Sequence, residues 1–117
     1  MKTKSNSNGY DIRIDEVKVI AEVKCNIPLN DGEFFGREQR AQIEKDLYYL
    51  LNGKNKVKDL KNNDYFKFFA LSGNDNTKVA FSNLFKIAKF NEKYGDMVEL
   101  YSSKSNINKE KVFVIFV

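Results

Sequence analysis

The sequence predicts one α/β domain in which helices flank a mixed β-sheet, with elements in the order β-β-α-β-α-β-β. Three observations support this prediction. Apolar and polar residues alternate with a period of two near the start, two later segments have apolar residues at helical spacing, and three short segments are almost continuously apolar. With 117 residues, of which 42% are hydrophobic, the chain can bury a single core.

The composition narrows the classes of function. A net charge of +4 and a pI near 9.1 are compatible with an anionic partner. The chain has no histidine, which excludes His-ligated zinc and His-dependent nucleophilic catalysis. The single cysteine, Cys25, cannot form an internal disulfide, and no apolar run reaches the ~20 residues that span a bilayer. We therefore expect a cytoplasmic protein without a membrane segment.

The first half of the chain predicts a tail, a hairpin and a helix. Residues 1–9 are polar and predict a flexible tail, which leaves 10–117 as the domain. Residues 11–14 and 17–25 alternate apolar and polar side chains, so we expect two strands joined by a tight turn at Asp15 and Glu16. After a loop, residues 37–51 show helical spacing, and Gly53 is a typical helix end.

The second half predicts three strands and one more helix. A polar, lysine-rich connection leads to a strand at 65–71, whose continuous apolar character is typical of a central strand covered on both faces. A turn and helix cap then precede a helix over 77–93. Residues 97–101 and 111–117 predict the last two strands.

The predicted hairpin places three charged residues on one face of the sheet. In an antiparallel pair, facing residues share a side, so burying the apolar side chains of both strands puts Asp11, Glu22 and Lys24 together on the other face. With the turn at residues 15 and 16, Asp11 lies opposite Ile20 and diagonal to Glu22. With the turn one residue later, Asp11 lies directly opposite Glu22.

Two adjacent carboxylates repel each other unless a cation lies between them. Mg²⁺ or Mn²⁺ would fit, because such ions prefer carboxylate and carbonyl oxygens and water. We therefore expect Asp11, Glu22 and the backbone carbonyl of Val23 to be metal ligands, with Asp15 as an alternative to Asp11. Lys24 could bind a scissile phosphate or hold a metal-activated water, which together suit phosphodiester hydrolysis.

The pattern Asp11, ten residues, then Glu22-Val23-Lys24 resembles the motif of the PD-(D/E)xK, or restriction-endonuclease-like, nuclease superfamily. The resemblance implies a restriction-endonuclease-like fold and a Mg²⁺-dependent endonuclease acting on DNA, in restriction or a related DNA-processing system. Asp11 and Glu22 would be its ligands, and Lys24 would assist the attacking water. Two features depart from the family pattern: Tyr10 replaces the proline before the acid, and the usual N-terminal helix is expected to be absent.

Several further residues are candidates for auxiliary roles. Gln39 and Gln42 lie one turn apart on the first predicted helix, where superfamily members often place a polar residue that reaches the site, although ordinary surface polarity explains them equally well. The candidate nucleic-acid-binding cations are Arg13, Arg37, Arg40, Lys54, Lys56 and Lys58. The expected partners are DNA and either a second copy or a chain that supplies the missing layer. The alternative function is a catalytically inactive or truncated module for DNA binding or dimerisation.

Overall fold

A computed structural model describes residues 9–25, 28 and 32–117. They form an α/β fold with a mixed five-stranded sheet and three helices, as the sequence predicts. The strands are β1 (Ile12–Ile14), β2 (Val19–Lys24), β3 (Phe66–Leu71), β4 (Val98–Leu100) and β5 (Val112–Phe116), and the helices are α1 (Arg37–Asn52), α2 (Asp75–Leu84) and α3 (Ala88–Tyr94). The predicted tail, except Gly9, and residues 26–27 and 29–31 of the loop before α1 lie outside the described residues.

The predicted order of elements is wrong at one point, because the helix expected over 77–93 is two helices. Asn74 caps the start of α2, accepting a hydrogen bond from the Thr77 amide at 2.7 Å. The helix ends at Phe85, and Ile87 is extended before α3 begins. The break brings the Phe85 ring edge-on to the Phe90 ring, with centroids 5.1 Å apart. This packing stabilises a turn that contains no Gly or Pro, so the sequence does not predict it.

The sheet has the strand order β1-β2-β3-β5-β4. Only β1 is antiparallel to its neighbour, and the other three pairings are parallel. Helix α1 connects β2 to β3, whereas α2 and α3 connect β3 to β4. Residues 101–111 connect β4 to β5. The described residues before β1 are 9–11.

All three helices share one core with a single face of the sheet. The core side chains from the helices are Ile43, Leu47, Leu50, Ala80, Phe81, Leu84, Phe90 and Tyr94, and those from the strands are Ile20, Phe69, Leu71, Val112 and Val114. On β3, burial alternates: Lys67, Phe69 and Leu71 are buried, whereas Phe66, Phe68 and Ala70 are partly exposed. The described helices therefore cover only one face of β3, and the other face is partly exposed. The expectation that both faces are covered is wrong in this respect.

The β1–β2 register matches one of the two predicted alternatives. Ile12 pairs with Ala21 and Ile14 with Val19, which places Asp11 directly opposite Glu22 by extension of the ladder. The turn is longer than two residues, and Lys18 adopts a left-handed conformation with φ 57°. The register thus follows the later turn position.

The burial of the hairpin faces is the reverse of the prediction. Ile20 is 0% exposed and Glu22, on the same face, is 5% exposed, whereas Val23 on the opposite face is 38% exposed. Helix α1 packs on the face that carries the acids, because Ile20 joins its apolar side chains in the core. The acids therefore lie beside the helix and not on an open surface. No helix in the described part of the chain is long and apolar enough to cross a membrane.

Candidate active site

Asp11 and Glu22 are joined across the hairpin by reciprocal hydrogen bonds between side chain and backbone. The Asp11 amide donates to Glu22 Oε1 at 3.1 Å, and the Val23 amide donates to Asp11 Oδ2 at 2.8 Å. The Asp11 carboxylate, one residue before β1, thus provides the hydrogen-bond acceptor for a backbone amide of β2. The two predicted acids are side by side, with Glu22 buried and Asp11 exposed.

Tyr10 fixes the backbone immediately before Asp11. Its buried hydroxyl donates to the Tyr49 carbonyl at 2.7 Å and accepts a hydrogen bond from Asn62 Nδ2 at 2.9 Å. These bonds attach the start of the hairpin to the end of α1 and to the 3₁₀ turn Asn62–Asp64. Tyr10 occupies the position that is proline in the superfamily motif, and here it performs a positioning role through its hydroxyl.

Lys54 forms an ion pair with Glu22. Its Nζ lies 3.3 Å from Glu22 Oε1 and donates to the Gly9 carbonyl at 2.7 Å. It also lies over the ring of Tyr10, 4.7 Å from the centroid. Gly53, with φ 98°, ends α1 and turns the chain so that the next residue can reach Glu22. We predicted Lys54 as a nucleic-acid contact, and the structure places it inside the acid cluster.

Lys24 forms an ion pair with a third acid, Asp46 of α1, at 3.0 Å between Nζ and Oδ2. Apart from this ion pair, the buried Oδ2 of Asp46 has no hydrogen-bond partner in the part of the chain that the structure describes. Asp46 was not among the predicted site residues, although the sequence contains a signal for it. Asp46 occupies an inward position of the helical pattern, three residues after Ile43 and four before Leu50.

The cluster therefore contains three acids and two lysines in mutual electrostatic contact. Burial raises the pKa of Glu22 and that of Asp46, and repulsion from Asp11 raises both further. Lys54 lowers the pKa of Glu22, and Lys24 lowers that of Asp46, but neither cation cancels the effect of burial. Burial therefore makes ionisation of Glu22 and Asp46 less favourable than in water, even with a lysine beside each of them.

A polar groove of about 380 Å³ leads from this cluster to solvent. Its lining side chains include Gln42, Lys45, Asp46, Tyr49, Lys54 and Lys56. Gln42 thus lines the same groove as Asp46, and its auxiliary role stays a prediction. Gln39 does not line the groove, because its Oε1 accepts a hydrogen bond from the Gly36 amide at 2.8 Å and caps the start of α1.

The other predicted residues lie away from the cluster. Arg13 pairs with Asp15 at 2.7 Å and with Asp59 at 2.9 Å, so its guanidinium is already neutralised. Asp15 also accepts a hydrogen bond from the Tyr65 hydroxyl at 2.6 Å. Asp15 follows Asp11 by four residues, which is roughly 13 Å along an extended chain. Asp11 is therefore the acid beside Glu22.

The remaining predicted cations are Arg37, Arg40 and Lys58. Arg37 and Arg40 line a second groove between α1 and α3, and Lys58 is exposed. Lys54 and Lys56, by contrast, belong to the groove beside the acids. Of the predicted nucleic-acid-binding residues, two thus line each groove, whereas Arg13 and Lys58 line neither.

The metal ligands predicted at the hairpin are the Asp11 and Glu22 carboxylates and the Val23 carbonyl. Within residues 9–25, 28 and 32–117, no group of three or more acidic, histidine or cysteine side chains is arranged to hold a metal ion. No protein-family model, curated protein or solved structure matches this chain. The resemblance to the PD-(D/E)xK superfamily thus rests on Asp11, Glu22 and Lys24 alone.

Proposed function

We propose that the Asp11–Glu22–Lys24 cluster is a metal-dependent site for hydrolysis of DNA phosphodiesters, in an endonuclease of the restriction-endonuclease-like type. The observation that carries this proposal is the direct opposition of Asp11 and Glu22 in the hairpin, with Lys24 on the same face. A groove with lysines along its lining adjoins them. Acids, a lysine and a basic groove are the groups that this reaction requires.

The residues fit a hard divalent cation such as Mg²⁺ or Mn²⁺. Asp11, Glu22 and the Val23 carbonyl supply the oxygen donors that such ions prefer. The raised pKa of Glu22 and the buried Oδ2 of Asp46 both indicate that added positive charge would be favourable. When bound, the ion would supply a Lewis acid and a water of lowered pKa.

The side chains of the chain itself would bind and orient the substrate. Asp46 holds the Lys24 ammonium beside β2, where it can contact a phosphate oxygen. Lys54 holds the Glu22 carboxylate in place, and Tyr10 fixes the backbone that carries Asp11. Lys45 and Lys56, on the groove, would attract the phosphate backbone of DNA.

Cleavage of plasmid and linear DNA in Mg²⁺ or Mn²⁺ tests this proposal. We expect Asp11→Asn, Glu22→Gln and Lys24→Ala each to reduce the rate by at least about 100-fold, because each removes a ligand or the phosphate-binding cation. Lys104→Ala, which changes an exposed lysine, is the control and should cleave like the wild type. Cleavage that persists in Asp11→Asn and Glu22→Gln would assign the activity to another site or a contaminant.

A second candidate function is a non-catalytic module for DNA binding or dimerisation. The observation that favours it is that Glu22 and Asp46 already have lysine partners, so the charges are partly balanced without a metal. Calorimetric titration with Mn²⁺ distinguishes the two candidates. Stoichiometric binding that Glu22→Gln abolishes supports the nuclease, whereas DNA binding without Mn²⁺ binding or cleavage supports the module. Sedimentation would show whether the protein forms dimers.

A further inference from the structure

A second groove of about 430 Å³ lies between α1 and α3. Its rim carries Arg37, Arg40, Lys89 and Lys93, and Ile87 and Phe90 contribute apolar surface inside it. With about 100° of rotation per residue, Arg37 and Arg40 lie on roughly the opposite side of α1 from Gln42 and Asp46. This α1–α3 groove is therefore separate from the acid cluster.

Most of the positive charge around the α1–α3 groove is not neutralised. Within the described ranges, Arg37, Arg40 and Lys89 form no ion pair. Lys93 pairs with Glu44 at 3.3 Å, and Glu44 is the one acid that lines the groove in that part of the chain. Three cations thus point to a ligand that carries several negative charges.

The cations are arranged in two rows on facing walls. Arg37 and Arg40 lie one turn apart on α1, where neighbouring side chains are about 5–6 Å apart. Lys89 projects from α3 on the other wall. Guanidinium groups bind phosphate oxygens with paired hydrogen bonds, which favours Arg37 and Arg40 as phosphate contacts.

The interior of the groove is apolar and partly open. Ile87 is 42% exposed, although it is a large hydrophobic residue. Phe90 lines the groove as well, and it is largely buried, where it packs against Phe85 and Tyr94 in the core. A flat base could pack on this surface while its phosphates reach the cationic rim. An acidic peptide would use the cations but would leave the apolar surface without a matching group.

We propose that the α1–α3 groove binds single-stranded nucleic acid, with phosphates on Arg37, Arg40 and Lys89 and a base against Ile87. Proteins that bind single strands commonly combine a positively charged groove with aromatic side chains on which bases stack. In this groove the aromatic lining residue is Phe90, beside Ile87. Because the groove is remote from the acids, binding here does not depend on the proposed cleavage. The two can therefore be tested separately.

Fluorescence anisotropy with labelled oligo(dT), oligo(U) and duplex DNA, in EDTA, tests the groove without any metal. We expect wild-type protein to bind at least one single strand more tightly than the duplex. Arg37→Ala/Arg40→Ala should weaken binding at least tenfold at low salt and reduce the slope of log affinity against log salt by about 1.4. Lys61→Ala/Lys104→Ala removes the same charge from exposed positions and should change the affinity less than threefold.

Two further variants separate the groove from overall charge and from the acid cluster. Ile87→Ser should weaken single-strand binding severalfold without altering the salt slope, whereas Asp11→Asn/Glu22→Gln should bind like the wild type. The proposal is overturned if neither oligo(dT) nor oligo(U) binds, or if Lys61→Ala/Lys104→Ala loses as much affinity as Arg37→Ala/Arg40→Ala. It is also overturned if poly-glutamate competes better than the oligonucleotides. Loss of cleavage in Asp11→Asn has no bearing on this result.

Discussion

Two charged residues are buried on the helix-covered face of neighbouring strands, and their surroundings differ in kind. Glu22 of β2 pairs with Phe69 in the sheet and has an ammonium, Lys54, 3.3 Å away. Lys67 of β3 pairs with Ile20, and its Nζ donates to the backbone carbonyls of Tyr65, at 3.0 Å, and Lys109. One buried charge has an opposite charge beside it, and the other has only carbonyl dipoles.

The difference distinguishes a structural role for Lys67 from the functional role that we propose for Glu22. Lys67 ties the connection between β4 and β5 to β3, which accounts for its burial, although burial lowers its pKa to about 8. Glu22 and Asp46 also connect elements, through the Asp11 amide and Lys24, but burial raises the pKa of each although a lysine lies beside it. Groups held in an unfavourable charge state next to an open groove are typical of functional sites.

The largest effect should follow removal of the cation beside Glu22. Lys54→Ala leaves the buried carboxylate without an opposite charge and removes the contacts with Gly9 and Tyr10, so we expect a loss of about 3 kcal/mol in the free energy of unfolding at pH 7. Urea denaturation measures it. Lys58→Ala, on an exposed neighbour, should change stability by less than about 0.5 kcal/mol. If Glu22→Gln does not restore part of the loss in the double variant, the effect does not come from the unpaired carboxylate.

A smaller and pH-dependent effect should come from Lys67. Its folded pKa of about 8 lies below the usual value of 10.5, so between these pH values the unfolded chain binds more protons than the folded protein. Stability should therefore rise with pH in this window, by about 2 kcal/mol from pH 7 to pH 10. Thermal unfolding of wild type and Lys67→Met across this range measures it, and the rise should be absent in the variant. An equal rise in both proteins would show that another group is responsible.

The smallest effect should come from neutralising the acid. Since burial raises the pKa of Glu22, its folded form holds its proton to higher pH than the unfolded chain, and wild-type stability falls as pH rises through the folded pKa. Glu22→Gln avoids this loss and should have a higher free energy of unfolding than the wild type at pH 7, with no gain at low pH. Denaturation at pH 4 and pH 7 checks this. A destabilised variant at pH 7 would mean that the Lys54 ion pair outweighs burial.

The sequence alone determined the hairpin and the positions of most other elements. Alternation with a period of two decides which residues share a face, so Asp11, Glu22 and Lys24 could be grouped without coordinates, and their register was one of two predicted alternatives. Helix α1 was predicted to within one residue, because its apolar spacing and Gly53 are local signals. The break between α2 and α3 has no such local signal, since the packing of Phe85 on Phe90 decides it.

Only the tertiary structure decided which face of the hairpin is buried and what surrounds the acids. Periodicity sorts side chains into two faces but does not say which face a helix will cover. That choice depends on the crossover from β2 to β3, which lays α1 over Ile20 and so over Glu22. The same packing brings Asp46 and Lys54, distant in sequence, against Lys24 and Glu22. Local pattern therefore determined the three residues of the predicted motif, and long-range packing determined the charges around them.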